Sequence, residues 1–259
     1  MKPVMRKIKL VLQYDGSKYH GWQYQINGIS IQEVVEKVIF RVTKEKSNLV
    51  GSGRTDAGVH AEAQVAHFVT RSRMSEAAFL RALNSLLPRD IAVKKVEVVS
   101  PDFDSRRSAK RKIYRYTILN HEHPSAFDYG HSMYIQFPLN VEAMKRAVPH
   151  LLGRHDFTAF QGAKSDVKTT VRELFRLDIE RKENFILFHF EGNGFLKYMV
   201  RIIVGTLVEV GKGRRQPDDM KAILASRNRK KAGPTAQPQG LCMVEVVYSG
   251  DGVGGEDDE

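Results

Sequence analysis

The run Gly51-Ser52-Gly53-Arg54-Thr55-Asp56-Ala57-Gly58-Val59-His60 sets one carboxylate and one guanidinium among three glycines. Glycine permits positive φ and close approach of a ligand. An aspartate held in such a loop can serve as a nucleophile or a base. No Gly-Lys-Ser/Thr follows, so the run is not a phosphate-cradling P-loop. Taken alone it also fits a hairpin whose Asp56 merely caps a turn. A second feature lies in residues 195–210, FLKYMVRIIVGTLVEV, which read as a largely buried helix with Arg201 surrounded by apolar side chains. An unpaired buried charge is costly. Arg201 therefore either pairs with a carboxylate, for which Asp56 is suited, or snorkels to the surface. Lys197, Arg201 and Gly205 recur at i, i+4 spacing, which predicts a cationic stripe on one helix face.

Other chemistries find little support. His60, His67, His121, His123, His131 and His155 are scattered, and His121 and His123 precede Pro124 with no matching acid or cysteine cluster. The one cysteine, Cys242, can form no internal disulfide. No metal and no cofactor are expected. No apolar run approaches the ~20 residues that span a bilayer, and the N-terminus lacks the apolar core of a signal peptide. No membrane partner is expected, and a reducing cytoplasm is the natural setting.

The elements that must position these residues follow from periodicity. Residues 6–14 alternate and read as a strand. Ser30 and Glu33 form a capping-box signature for a helix from Ile31 to about Thr43. Strands at 47–52 and 63–70 flank the glycine-rich loop. Ser75 caps a second helix ending near Pro88, and a strand covers 90–99. This βαββαβ order is the split unit of ferredoxin-like folds. A looser repeat follows: strands near 112–120 and 131–137, a helix from Val141 to Leu152, strands 170–181 and 185–191, the helix 195–210, a shorter helix from Pro217, and a strand 241–248. The expected architecture is α+β, with an N-terminal half (1–105) carrying the loop, a C-terminal half (106–250) and a disordered acidic tail (251–259). Trp22, in a predicted loop, is read as a core anchor.

The 259 residues carry a net charge of +11, and five of the thirty acids sit in the last nine residues, leaving +16 on the rest. Such an excess points to a polyanionic partner, because counterion release drives Lys and Arg onto phosphates. Two segments concentrate it. Residues 211–231 read as a phosphate-tracking surface or, equally, a solvated helix face. Residues 101–120 hold Arg106, Arg107, Lys110, Arg111, Lys112 and Arg115 with Tyr114 and Tyr116 interleaved. Rings beside cations can stack on unpaired bases while the cations hold the backbone. Two apart on a strand, Tyr114 and Tyr116 face one side and Arg115 the other.

At these residues the chain resembles the A-type tRNA pseudouridine synthases. The resemblance is carried by Gly53-Arg54-Thr55-Asp56-Ala57-Gly58-Val59-His60-Ala61, and by Tyr14-Asp15-Gly16 with Gly21-Trp22-Gln23. Ser108-Ala109 with Tyr114-Arg115-Tyr116, His155-Asp156-Phe157 with Phe160, Phe195-Leu196 with Met199-Val200-Arg201, Val204-Gly205, and Ala232-Gly233-Pro234-Thr235-Ala236 with Gly240-Leu241 add to it. It spans roughly residues 7–248. Departures are Arg107 in place of a usual Phe, Gln237-Pro238 in place of Pro-Ala, and Cys242 in place of Tyr. The resemblance implies two ferredoxin-like halves in one continuous mixed sheet, helices on one face and a central basic cleft, usually as a homodimer. It implies conversion of uridine to pseudouridine at positions 38, 39 and 40 of tRNA. Asp56 would be the nucleophile, Tyr114 would stack on the uracil, Arg201 would pair with Asp56, and Arg54 would hold the nucleotide out of its helix. Lys197, Arg106 and Lys110 are expected among the substrate-binding residues. The alternatives from other classes are a non-catalytic RNA-binding module and a hydrolase or metalloenzyme. The RNP1 aromatic pattern of the first is absent.

Overall fold

The computed structural model describes residues 5–163 and 167–249. The proposed acidic tail lies outside the described residues. The first half runs β1 (Arg6–Tyr14), α1 (Ile31–Thr43), β2 (Val50–Gly51), β3 (His60–Thr70), α2 (Glu76–Leu86) and β4 (Ile91–Val99). The second runs β5 (Ala109–Asn120), β6 (Met133–Ile135), α3 (Val141–Ala147), β7 (Gly153–Asp156), β8 (Val171–Lys182), β9 (Phe185–Gly192), α4 (Met199–Gly211), α5 (Asp219–Ser226) and β10 (Leu241–Tyr248). Local chemistry sets several boundaries. The Ser30 and Ser75 side chains accept from the Glu33 and Ala78 amides and so start α1 and α2. Glu183 takes a positive φ of 53° in the turn between β8 and β9.

All ten strands join one sheet in the order β4-β1-β3-β10-β5-β9-β8-β7, with β2 added to β3 and β6 to β5. Within each half the antiparallel order is that of a ferredoxin-like unit: β4-β1-β3-β2, then β10-β5-β9-β8. The halves meet where β10 runs parallel to β3, pairing Cys242 with His60 and Met243 with Ala61. The sheet is therefore mixed and continuous across the seam.

Residues paired across strands share a face. One such row crosses the seam from Tyr14 through Ala61, Met243, Tyr114 and Phe190 to Leu177. Every member is buried. Ile8, Leu10 and Leu12 extend this face into the first half, and Tyr116, Phe188 and Ile179 into the second, within a single core. Burying one such aliphatic side chain contributes about 1.5–3 kcal/mol. The opposite face is more polar: Arg115 reaches Glu62 at 2.6 Å there, and Lys9 reaches Glu97 at 3.2 Å.

Several boundaries differ from those expected. The strand at 47–52 shrinks to Val50–Gly51. The helix from Val141 ends at Ala147 and passes into a 3-10 turn over Val148–His150 containing Pro149, which has no amide to donate. The helix expected from 195 begins at Met199, because Tyr198 sits in the left-handed region at φ 62° and cannot continue a helix backwards. Lys197 therefore precedes α4, and the expected Lys197-Arg201-Gly205 stripe does not exist as a helix face. Strand β7 had no counterpart in the sequence reading.

Candidate active site

The glycine-rich loop is pinned from below by side chains of β1 and β3. The Tyr14 hydroxyl meets Thr55 Oγ1 at 2.8 Å. Gln64 Nε2 donates to the Gly53 carbonyl at 2.9 Å, and Ser52 Oγ donates to Gln64 Oε1 at 2.6 Å. The Trp22 amide donates to the Thr55 carbonyl, and the Trp22 ring, only 3% exposed, packs on Gly51. Trp22 is thus a core anchor, as read from the sequence. After Asp56 the chain turns sharply: the Val59 amide donates to the Asp56 carbonyl, and Gly58 takes φ +76°, a conformation that L side chains rarely adopt. The loop is therefore a fixed platform.

The Asp56 carboxylate points at α4. Arg201 Nη1 lies 3.2 Å from Asp56 Oδ2. Arg201 Nε donates to the Ala236 carbonyl at 2.8 Å, and its guanidinium stacks over the Tyr198 ring at 4.9 Å. The Ala236 carbonyl is presented by residues 233–236, which lie directly on α4. A Cβ at Gly205 would fall 1.8 Å from the Pro234 carbonyl oxygen, so only glycine lets that backbone come so close. Gly205 thus seats the segment that orients Arg201. We expect Gly205→Ala to lower stability by about 1–3 kcal/mol through overpacking, seen as a fall in Tm with an accompanying loss of activity. An unchanged Tm would contradict this contact.

Asp56 and Tyr114 line one cavity of about 660 Å³ with Arg54, Arg106, Lys112, Phe195, Lys197 and Tyr198. Tyr114 and Tyr116 share a face and Arg115 takes the other, as the spacing predicted. The Tyr114 ring meets Phe195 edge-on with centroids 5.1 Å apart, and among the described residues no hydrogen-bond partner meets its hydroxyl. Burial, then the neighbouring Tyr14 and Asp56, hold this phenol well above its ordinary range, so it is neutral. Burial also raises Asp56, against the opposing pull of Arg201 and then Lys197. Lys197 reaches the Ala163 carbonyl at 3.3 Å from the turn before α4. Arg54 is exposed on the cavity wall, with no ion pair among the described residues. Lys110 is exposed on β5 and does not line the cavity.

Lys112, within the basic segment 101–120, also lines the cavity, which its membership of that segment does not by itself predict. Its signal was available, since it lies two residues before Tyr114 on the same strand face. No cluster able to hold a metal ion occurs among the described residues.

Residues 10–106 and 147–249 match the family described as tRNA pseudouridine synthase. The chain belongs to the tRNA pseudouridine synthase family. Among its relatives, a protein of Thermoanaerobacter sp. (strain X514) named tRNA pseudouridine synthase A is 47% identical over 244 residues, 94% of this chain and all of that protein. The protein of that name from Acetivibrio thermocellus is 46% identical over the same shares. That of Myxococcus xanthus is 46% identical over 94% of this chain and 92% of its own length. Among solved structures, a Cbf5-Nop10-Gar1 complex overlaps 92% of this synthase-family chain and 48% of its own chain, at 13% identity and TM-score 0.39, too loosely to carry an argument. In this member of the family the departures Gln237-Pro238 and Cys242 do not line the Asp56 cavity. The Gln237 carbonyl accepts from the Tyr116 hydroxyl at 2.7 Å, and Cys242 lies at the β3–β10 seam.

Proposed function

We propose that this protein isomerises uridine to pseudouridine in the anticodon stem-loop of tRNA, at positions 38, 39 and 40, with Asp56 as nucleophile and without a cofactor. The observation that carries this reading is a carboxylate held 3.2 Å from a guanidinium on a rigid loop, in a cavity that a neutral tyrosine shares. The reaction breaks N1–C1′, turns the freed uracil and forms C5–C1′. N1 gains a proton and C5 loses one, so no redox partner is needed. Asp56 has three routes: attack on C1′, addition to C6, or promotion of a glycal. Each needs the ionised carboxylate that Arg201 favours. The target base leaves its stack to be reached. Tyr114 offers a ring against it, and Arg54, Arg106, Lys110 and Lys197 hold the RNA around it. Water is excluded while the uracil is detached.

The same reading takes the protein to work as a homodimer in the cytoplasm, each chain built of halves at 1–105 and 106–250. No helix among the described residues is long and apolar enough to cross a membrane. Tritium release from tRNA labelled as [5-³H]uridine tests the activity, and sequencing of the product tests the positions. Release at positions 38–40 supports the proposal. Binding without release would leave a non-catalytic RNA-binding protein instead.

Arg201→Met should make the active site acid-sensitive. Burial raises Asp56 and Arg201 opposes that rise. Removing the cation raises the carboxyl further, because the opposite charge that favoured the ionised form is gone. A nucleophile works only above its pKa, so residual activity should vanish at a higher pH as pH falls. A pH–rate profile reads the shift; an unmoved acid limb would contradict the pairing.

A further inference from the structure

Three cations from separate elements gather beside the cavity: Arg106 and Lys112 line its wall, and Arg172 lies on the same sheet face as Lys112, two residues from the Leu174 that pairs with Gly192 opposite Lys112. Arg106 comes from the connection between β4 and β5, Lys112 from β5 and Arg172 from β8. Lys112 Nζ donates to the Ser52 carbonyl at 2.6 Å, beside the loop that carries Asp56. Arg172 Nη1 donates to the Thr169 and Val171 carbonyls at 3.0 and 2.6 Å, and its side chain lies against Gly194, next to the cavity-lining Phe195.

Such a grouping costs energy as it stands. Among the described residues none of the three makes an ion pair, whereas Arg111 and Arg115 on the same strand each hold a glutamate. Burial, then repulsion from Arg106 and Arg172, pushes the Lys112 ammonium down to about 8. Carbonyl oxygens satisfy only part of the donor capacity of Lys112 and Arg172, since an ammonium has three N–H groups and a guanidinium five. The remaining donors and the uncompensated charge suit an oxyanion. Arg forks and a Lys point charge are the usual ligands of phosphate.

We propose that Arg106, Lys112 and Arg172 form a binding site for one backbone phosphodiester of the RNA substrate, adjacent to the nucleotide that reaches Asp56. The proposal rests on the Asp56 cavity being the tRNA site and deepens it. Asp56 and Tyr114 address the base, and the trio holds the backbone at a fixed distance from them. Lys112 joins the two functions, because its ammonium bridges the catalytic loop and the phosphate. Phosphate contacts position a nucleic acid without reading its sequence, so this site would serve several uridines alike.

The test is a cycle of protein and RNA changes. Affinity for an anticodon stem-loop RNA is measured across a salt series for wild type, Arg106→Gln/Arg172→Gln, Lys112→Gln and, as a cavity control, Arg54→Ala. Thermal unfolding checks that each is folded. The measurement is repeated with RNAs carrying one neutral methylphosphonate at each phosphate flanking the target uridine. One lost phosphate contact should flatten the log K against log salt slope by roughly 0.7–0.9 in the double variant. Methylphosphonate at the held phosphate should weaken wild type to the level of the double variant and leave that variant unchanged. Lys112→Gln should show the same dependence on the same phosphate. Equal loss for the double variant on every methylphosphonate RNA would mean a diffuse field and would overturn the site. So would wild-type affinity and slope in the double variant while Arg54→Ala binds weakly. If Arg54→Ala binds normally too, the cavity is not the RNA site and the functional assignment of the cavity falls with it.

Discussion

Asp56→Ala is expected to abolish pseudouridine formation, on the order of 10⁴-fold or more, while tRNA affinity stays within a few-fold of wild type. Loss of a catalytic nucleophile has effects of that size in other enzymes. Affinity, by contrast, is spread over many cations, and Asp56, the one carboxylate among the described residues lining this cavity, repels phosphate if it contributes at all. Beyond its ion pair with Arg201, the Asp56 side chain does not hold the loop in place. The loop is held by Thr55, Gly53 and Ser52 through Tyr14 and Gln64, not by the Asp56 side chain. Asp56→Asn is the companion variant, since it keeps the shape and removes the charge. Tritium release and filter binding measured on the same preparations separate turnover from affinity. More than trace turnover in either variant would remove Asp56 from the chemistry.

Tyr114→Phe should bind tRNA nearly as wild type and turn over about 10²–10⁴-fold more slowly, the range for a positioned acid–base group. The hydroxyl has no partner among the described residues, and burial keeps it protonated, so it can donate a proton at the reacting base or relay the one lost from C5. Tyr114→Ala should lose the ring as well, at about 1–3 kcal/mol for one stacked base, and fail in both binding and turnover. If Phe reacts as fast as Tyr, stacking is the whole contribution. If Ala matches wild type in both measurements, Tyr114 is a core residue and the site must be redrawn. Tyr114 belongs to the core and also lines the cavity, where the edge contact with Phe195 fixes its ring plane.

Much of this architecture was legible in the chain. Alternation in residues 6–14 predicted β1 to the residue, and Ser30 with Glu33 predicted the start of α1. Both are local effects, set by strand pleat and by one side-chain cap. The pairing of Arg201 with a loop carboxylate was also legible, since a cation inside an apolar helix needs a partner. Helix edges were less so. The left-handed Tyr198 and the 3-10 turn at Val148–His150 moved the ends of two helices, and the first removed Lys197 from the face expected to carry it.

The sequence by itself determined which residue types could react, which were too apolar to face water, and an excess of cations that suits a polyanionic partner. Those properties belong to side chains and their near neighbours. The tertiary structure alone decided that β10 closes on β3, which brings Tyr114 of one half beside Asp56 of the other, and that Lys112 and Arg106 line one cavity with Arg172 on the neighbouring stretch of the same sheet face. It also decided that Pro234 would lie against Gly205 and so present the Ala236 carbonyl to Arg201. These contacts join residues tens to more than a hundred positions apart. They arise because the halves bury one continuous apolar face together, and no local periodicity records which strands will share it.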